Sequence, residues 1–156
     1  MRKVLVVNYD KCTGCRTCEI ACSFSHKKVF NPTKASVHVI KWEEEAKFVP
    51  MVCRQCKNPP CEEACPVEAI ARDPGTGAML IDDELCTGCR ICMEECPYGA
   101  ITVDPETDEI LKCDLCGGNP MCVRFCEPKA LEYLTTAAFN YRSTKASAER
   151  LSIDAE

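Results

Sequence analysis

Long hydrophobic runs are missing from this sequence. No apolar stretch approaches the roughly 20 residues needed to cross a bilayer, so membrane attachment is expected only through a partner and direct insertion is not expected. The first residues, MRKVLVVNYD, hold no apolar signal-peptide core, no small-residue cleavage site and no twin-arginine pair. That points to the cytoplasm, where thiols stay reduced. Aromatic residues are scarce: 5 Phe, 4 Tyr and 1 Trp make a thin conventional core for a chain of 156 residues, which suits one domain or two halves sharing one body. Histidine is limited to His26 and His38. No phosphate loop, dinucleotide fingerprint or nucleophile-base-orienter set is present, so no catalytic residues are expected in this chain.

Cysteine is what the sequence has in excess, at 16 positions. A thiol at about one position in ten leaves three readings: a secreted disulfide framework, structural zinc, or a polyferredoxin. The missing leader argues against the first. The cysteines fall into four groups of four with none left over: Cys12-x2-Cys15-x2-Cys18-x3-Cys22; Cys53-x2-Cys56-x4-Cys61-x3-Cys65 before Pro66; Cys86-x2-Cys89-x2-Cys92-x3-Cys96 before Pro97; and Cys113-x2-Cys116-x5-Cys122-x3-Cys126.

The surrounding text alternates. Groups one and three share CTGCR, and groups two and four share a widened middle with Asn58-Pro59 and Asn119-Pro120, an A-B-A-B order that fits duplication of a two-group unit. Four residues after the last cysteine of groups two, three and four stand Ala69-Ile70, Ala100-Ile101 and Ala130-Leu131. After the first two, Ala-Ile-x-x-Asp-Pro-x-Thr signals a hairpin with a type I turn, flanked by Met79-Leu80-Ile81 and Ile110-Leu111. Val4 to Tyr9 and Ser36 to Trp42 read as further strands. Short helices are expected after Cys15, after Cys89 and near Glu62-Glu63-Ala64, since the x3 spacing puts two cysteines on one helical face. The fold class is α+β: small hairpins and helices of one to three turns.

A cubane has four iron corners, and C-x2-C-x2-C lets one tight loop supply three of them while the fourth ligand comes from elsewhere. Zinc ribbons use pairs of C-x2-C and do not call for a third cysteine two residues on. The C-x2-C pairs of groups two and four are ambiguous alone; their alternation with groups one and three places them with iron and sulfide. Group one departs from the bacterial ferredoxin pattern in having Ser23 where proline follows, but proline is not a ligand. The formal net charge is -5 with thiols neutral. Sixteen thiolates around four cores of about +2 each take it to about -13. Such an acidic body repels nucleic acid and suits a partner with a basic face. Clusters would replace much of the missing apolar core, coupling folding to metal loading.

On the order of the four groups and the strings CTGCR, CEEACP and CDLC, the chain resembles the four-cluster polyferredoxin electron-transfer subunits typified by that of dimethyl sulfoxide reductase. The resemblance covers roughly residues 1 to 134. It implies two ferredoxin-like halves, an inner unit at about 50-104 and an outer unit at about 1-49 with 105-134, and four 4Fe-4S clusters. It also implies crossed ligand sets: Cys53, Cys56, Cys61 and Cys96; Cys86, Cys89, Cys92 and Cys65; Cys12, Cys15, Cys18 and Cys126; Cys113, Cys116, Cys122 and Cys22. Spacing alone leaves group four equally able to pair with group three. The chain is short for that family, without long insertions, and is most similar to the small polyferredoxins that accompany tungsten-dependent aldehyde oxidoreductases.

The implied partner is a catalytic oxidoreductase subunit with a tungsten- or molybdenum-pterin site; a flavin subunit and further copies of the chain are additional candidates. A free polyferredoxin shuttle is the alternative. Arg16 and Arg90 read either as cations acting on a nearby cluster or partner or as solvated arginines. His26 and His38 read as ordinary polar residues. Glu43-Glu44-Glu45 reads as a solvated acidic face, and Trp42 and Phe48 as cluster cover or interface. The cysteine-free segment 135-156 reads as a disordered tail or one that wraps onto another subunit.

Overall fold

The computed structural model describes residues 3–153, and its first strand pairs with its last. Strand β1 (Lys3–Val7) pairs antiparallel with β8 (Leu131–Thr135), from Lys3 opposite Thr135 to Val7 opposite Leu131. The Asn8 N-H extends the ladder by donating to the Ala130 carbonyl at 2.8 Å. Between them the chain runs through helix α1 (Thr17–Lys27), hairpin β2 (Val37–Trp42) and β3 (Lys47–Val52), and helix α2 (Pro60–Glu63). There follow hairpin β4 (Ile70–Arg72) and β5 (Met79–Ile81), helix α3 (Ile91–Glu94), hairpin β6 (Ile101–Val103) and β7 (Ile110–Lys112), and helix α4 (Met121–Arg124). Helix α5 (Thr136–Ile153) follows β8 directly. Every strand pair among the described residues is a separate two-stranded antiparallel ribbon. The α+β class with small hairpins and short helices is therefore what the chain adopts.

In β2 the alternation holds over the first half, with Val37 and Val39 buried around half-buried His38, and the strand is exposed from Ile40 to Trp42. The two short hairpins repeat one design. Asp73 accepts the Thr76 N-H at 2.7 Å, and Asp104 accepts the Glu106 N-H at 2.9 Å, so each aspartate caps its own turn. The turns are wider than the simple type I expected. Asp73 and Asp104 carbonyls accept from Gly77 and Asp108, four residues on, at 2.8 and 2.9 Å. Gly77 and Asp108 close these turns at φ 77° and 62°, a left-handed step that returns the chain to the ladder.

Helix α1 packs on α4 and α2 packs on α3, so the first and last groups meet, as do the middle two. Two apolar clusters result. One gathers Val37, Val39, Val52, Leu115 and Leu131 with buried cysteines of groups one, two and four. The other gathers Ile70, Met79, Ile101 and Ile110 around Cys61 and Cys92. Sulfur thus takes core positions that larger apolar residues would otherwise fill. The 135-156 segment, read as tail, is helical as far as Ile153. It rests on β1 and β8 and is tied by the Arg142–Glu132 ion pair, with Tyr141 and Leu151 left exposed. No described helix is long and apolar enough to cross a membrane.

Candidate metal centres

All 16 cysteines are free thiols. Each C-x2-C loop is bent by left-handed residues that let a short segment turn its thiols inward: Gly14 and Arg16 in group one, Gly88 and Arg90 in group three, Gln55 in group two, Leu115 and Cys116 in group four. At Gly14 a side chain is also sterically barred, because a Cβ would lie 2.5 Å from the Phe48 ring. Phe48 therefore covers the group-one loop, whereas Trp42 is exposed beneath Lys47.

The loops converge with cysteines from distant groups. Cys12, Cys15 and Cys18 line a cavity with Cys126, here called site I. Cys113, Cys116 and Cys122 line another with Cys22, site II. Cys86, Cys89 and Cys92 line a third with Cys65, site IV. At the remaining place, site III, Cys61 lies close enough to Cys53 and Cys96 that their charges act on it, and Cys56 shares the loop between Cys53 and Cys61. The two cysteines of an x3 pair thus go to different sites: on α1, Cys18 to I and Cys22 to II; and Cys92 on α3 to IV while Cys96, two residues past the end of α3, goes to III.

Backbone N-H groups point at the far cysteine of every group. Ala69 donates to Cys65 Sγ at 3.3 Å, Ala100 to Cys96 Sγ at 3.4 Å, and Leu131 to Cys126 Sγ at 3.4 Å. This is the physical content of the Ala-Ile/Leu repeat: the chain must turn back so that an amide reaches the thiolate. Group one lacks the repeat because α1 continues through Cys22 to Lys27, and its donor comes instead from Ser36, 3.3 Å from Cys22 Sγ. The same continuation explains Ser23. A proline there would break the helix, whereas the buried Ser23 hydroxyl donates to the Ile20 carbonyl and accepts the Asn31 N-H.

Burial pushes the Cys18 and Cys113 thiols up to about 12 and Cys92 to about 11, and it raises Cys122 and Cys61 as well. Exposed Cys15 goes the other way, lowered by hydrogen bonding to Thr17. Four thiols crowded in a buried pocket resist ionisation unless a cation shares the pocket; a metal reverses that preference. These interactions also order the sites. Cys18 acts on Cys122, Cys53 on Cys113, and Cys61 on Cys92, which places I beside II, II beside III and III beside IV.

Among the polar residues around the sites, Glu19 had no distinguishing mark in the sequence, whereas Arg16, Arg90, His26 and His38 were singled out there. Glu19 is buried, accepts the Val39 N-H at 2.6 Å and pairs with Arg16 at 2.6 Å, locking α1 to β2 beside site I. Arg90 pairs with exposed Asp108 at 2.8 Å. His26 sits at the rim of site II, its Nε2 3.0 Å from Asp114 Oδ1 and its Nδ1 3.0 Å from the Cys22 carbonyl. Asp114 first, then Cys116 and Cys22, hold its imidazolium form well above the usual histidine range. His38 is instead lowered by burial and contacts Thr102 at 3.4 Å.

The sequence pattern described as "4Fe-4S dicluster domain" matches residues 44–135, and that described as "4Fe-4S binding domain" matches residues 4–26. The chain is 36% identical over 138 residues to the aliphatic sulfonate oxidoreductase polyferredoxin-like subunit of Pyrococcus furiosus, covering 88% of this chain and 79% of that one. It is 35% identical over 144 residues to the putative electron transport protein YsaA of Escherichia coli, with 85% and 89% covered. A solved chain in the active site complex BamBC of benzoyl coenzyme A reductase with 1,5-dienoyl-CoA is 26% identical, with a TM-score of 0.50 and coverage of 84% of this chain and 74% of that one.

Proposed function

The chain belongs to the 4Fe-4S dicluster domain family, and from that premise we propose that it holds four 4Fe-4S clusters and relays single electrons as the iron-sulfur subunit of a multi-subunit oxidoreductase. The observation that carries this reading is the convergence of the cysteines on four neighbouring sites in series. The proposed ligands are Cys12, Cys15, Cys18 and Cys126 at site I; Cys113, Cys116, Cys122 and Cys22 at II; Cys53, Cys56, Cys61 and Cys96 at III; and Cys86, Cys89, Cys92 and Cys65 at IV. The inner unit at about 50-104 would hold III and IV, and the outer unit, about 1-49 with 105-134, would hold I and II.

The residues fit the cofactor. Sites I, II and IV are each lined by three cysteines of one group and one cysteine of another, the four thiols a cubane needs. Each final cysteine receives an N-H donor, the arrangement that stabilises a thiolate ligand. Bound clusters supply one-electron cycling between two oxidation states. The protein's part is to hold them in line, exclude water and set each potential through donors and charges. Cys15 at site I and Cys89 at site IV are exposed, so the two ends of the series reach the surface. Electrons would enter and leave there.

A shuttle needs one or two clusters because each visit delivers few electrons, whereas a wire between distant redox sites needs several in a row. Four sites in series favour the wire. The relative named as a subunit of aliphatic sulfonate oxidoreductase, and the fold shared with a chain of the benzoyl coenzyme A reductase complex, support a catalytic partner. We take that partner to carry a tungsten- or molybdenum-pterin site, with a flavin subunit at the other end of the wire.

Anaerobic reconstitution should give about 16 iron and 16 sulfide per chain, four per cubane; about 8 iron, or zinc in its place, refutes four clusters. Mild isolation from the native source should yield the chain bound to a larger oxidoreductase. A lone chain that reduces soluble acceptors supports the shuttle and refutes the wire.

A further inference from the structure

We propose that Lys112 and Arg72 form a cationic clamp on site III that makes its cluster the electron-holding position of the series, with a reduction potential above those of its neighbours at II and IV. This rests on the four-cluster reading and adds the residues that grade the wire.

Lys112 closes β7, and its half-buried side chain turns inward, where Nζ lies 2.5 Å from the Met79 carbonyl and 3.5 Å from Cys53 Sγ. Arg72 closes β4. Its guanidinium donates to the carbonyls of Cys56 and Lys57 in the Cys53–Cys61 loop and to that of Gly77.

Among the described residues neither cation makes an ion pair. That separates site III from the others. At site I the nearby cation, Arg16, is neutralised by buried Glu19, and at site IV Arg90 is neutralised by Asp108. At site II the charges are the His26–Asp114 pair. Among the described residues, site III is the one beside two cations whose hydrogen bonds go to backbone carbonyls.

Reduction adds a negative charge to a cluster, and an uncompensated cation in a half-buried setting stabilises that added charge far more than an exposed or paired one does. A Lys112 ammonium close to Cys53 also draws electron density from one ligand. Both effects raise the potential of III alone.

The test is an anaerobic potentiometric titration of the reconstituted full chain followed by electron paramagnetic resonance, with iron content measured first. Lys112→Gln should lower the potential of one centre and leave the others in place, and Lys112→Arg should restore most of the shift because charge, not packing, is the cause. Arg72→Gln should lower the same centre. That centre is identified as the one whose signal changes in Cys96→Ser. The clamp is overturned if no centre moves in a fully loaded Lys112→Gln protein, if the centre that moves is insensitive to Cys96→Ser, or if Lys112→Arg shifts as far as Lys112→Gln. Should Lys112→Gln fail to hold iron, Arg72→Gln, which touches only carbonyls, decides by the same criterion. Low iron in the unmutated chain would instead refute the four-cluster reading.

Discussion

Gln55 donates its side-chain amide to the backbone carbonyl of Cys113 at 2.8 Å, joining the loop of site III to the first cysteine of site II. Its amide oxygen accepts the Met79 N-H at 2.7 Å, so one half-buried side chain satisfies two backbone groups from two hairpins. Gln55→Leu keeps the size and removes both bonds. Each unpaired buried group costs roughly 1–3 kcal/mol, and one of the two bonds ties the loop of site III directly to site II. Guanidinium unfolding followed by bleaching of the visible absorption should shift to lower denaturant, and II-to-III electron transfer should slow. Unchanged unfolding would show that the junction is held by packing alone.

Cys65 stands on the same short segment as Cys61 but lines the cavity of Cys86, Cys89 and Cys92. Cys65→Ser should therefore disturb the centre at IV and spare the one at III, although only three residues separate it from Cys61 in sequence. Resonance spectra of the variant decide it. A signal lost from the centre that also responds to Cys53→Ser would mean that the ligand sets are local, not crossed.

The ligand loops were legible in the sequence because C-x2-C-x2-C is a local geometry that short-range spacing encodes directly. Strands β2, β5 and β7 were legible through alternation and turn residues. The β1–β8 ribbon was not: its partners stand near opposite ends of the described chain, and Leu131-Glu132-Tyr133 carries no mark of what it pairs with. The Asp-Pro hairpins were visible, but their wider closure depends on left-handed steps at Gly77 and Asp108 that a type I reading does not require. Helix α5 escaped because its apolar residues form no steady stripe, and its helix rests on local propensity plus a short contact with β8. Glu19, Gln55, Arg72 and Lys112 are single polar residues whose meaning comes entirely from neighbours distant in sequence.

The thiols should differ in reactivity once iron is removed. Cys15 is exposed and lowered by its hydrogen bond to Thr17, whereas burial holds Cys113 at about 12 and Cys18 at about 12. The thiolate is the reactive form, so at pH 7.5 iodoacetamide should label Cys15 first and Cys113 and Cys18 last. The raised groups ionise only as pH climbs toward their folded values, so the gap should narrow as pH rises above about 9 and the buried thiolates form. In the loaded protein all the ligand thiols should be protected. Mass spectrometry of partly labelled, chelator-treated, reduced protein reads the order; uniform labelling at neutral pH would show that the fold does not survive without its clusters.

Leu131 is 1% exposed, pairs with Val7, packs in the first apolar cluster and donates its N-H to Cys126 Sγ. Cys126 is the one cysteine of site I that comes from outside group one, so the β1–β8 ribbon is what brings the fourth corner to that site. Leu131→Ala should cost about 2–5 kcal/mol, the range for truncating a buried leucine. Because the damage falls beside Cys126, iron should leave site I before the others, giving a plateau near three-quarters of full loading under mild chelation. Tyr141→Ala, on the exposed face of α5 at 74% exposure, serves as the control and should change stability by no more than about 0.5 kcal/mol. Iron loss spread evenly over all four sites in Leu131→Ala would show that the ribbon supports the whole body and not site I in particular.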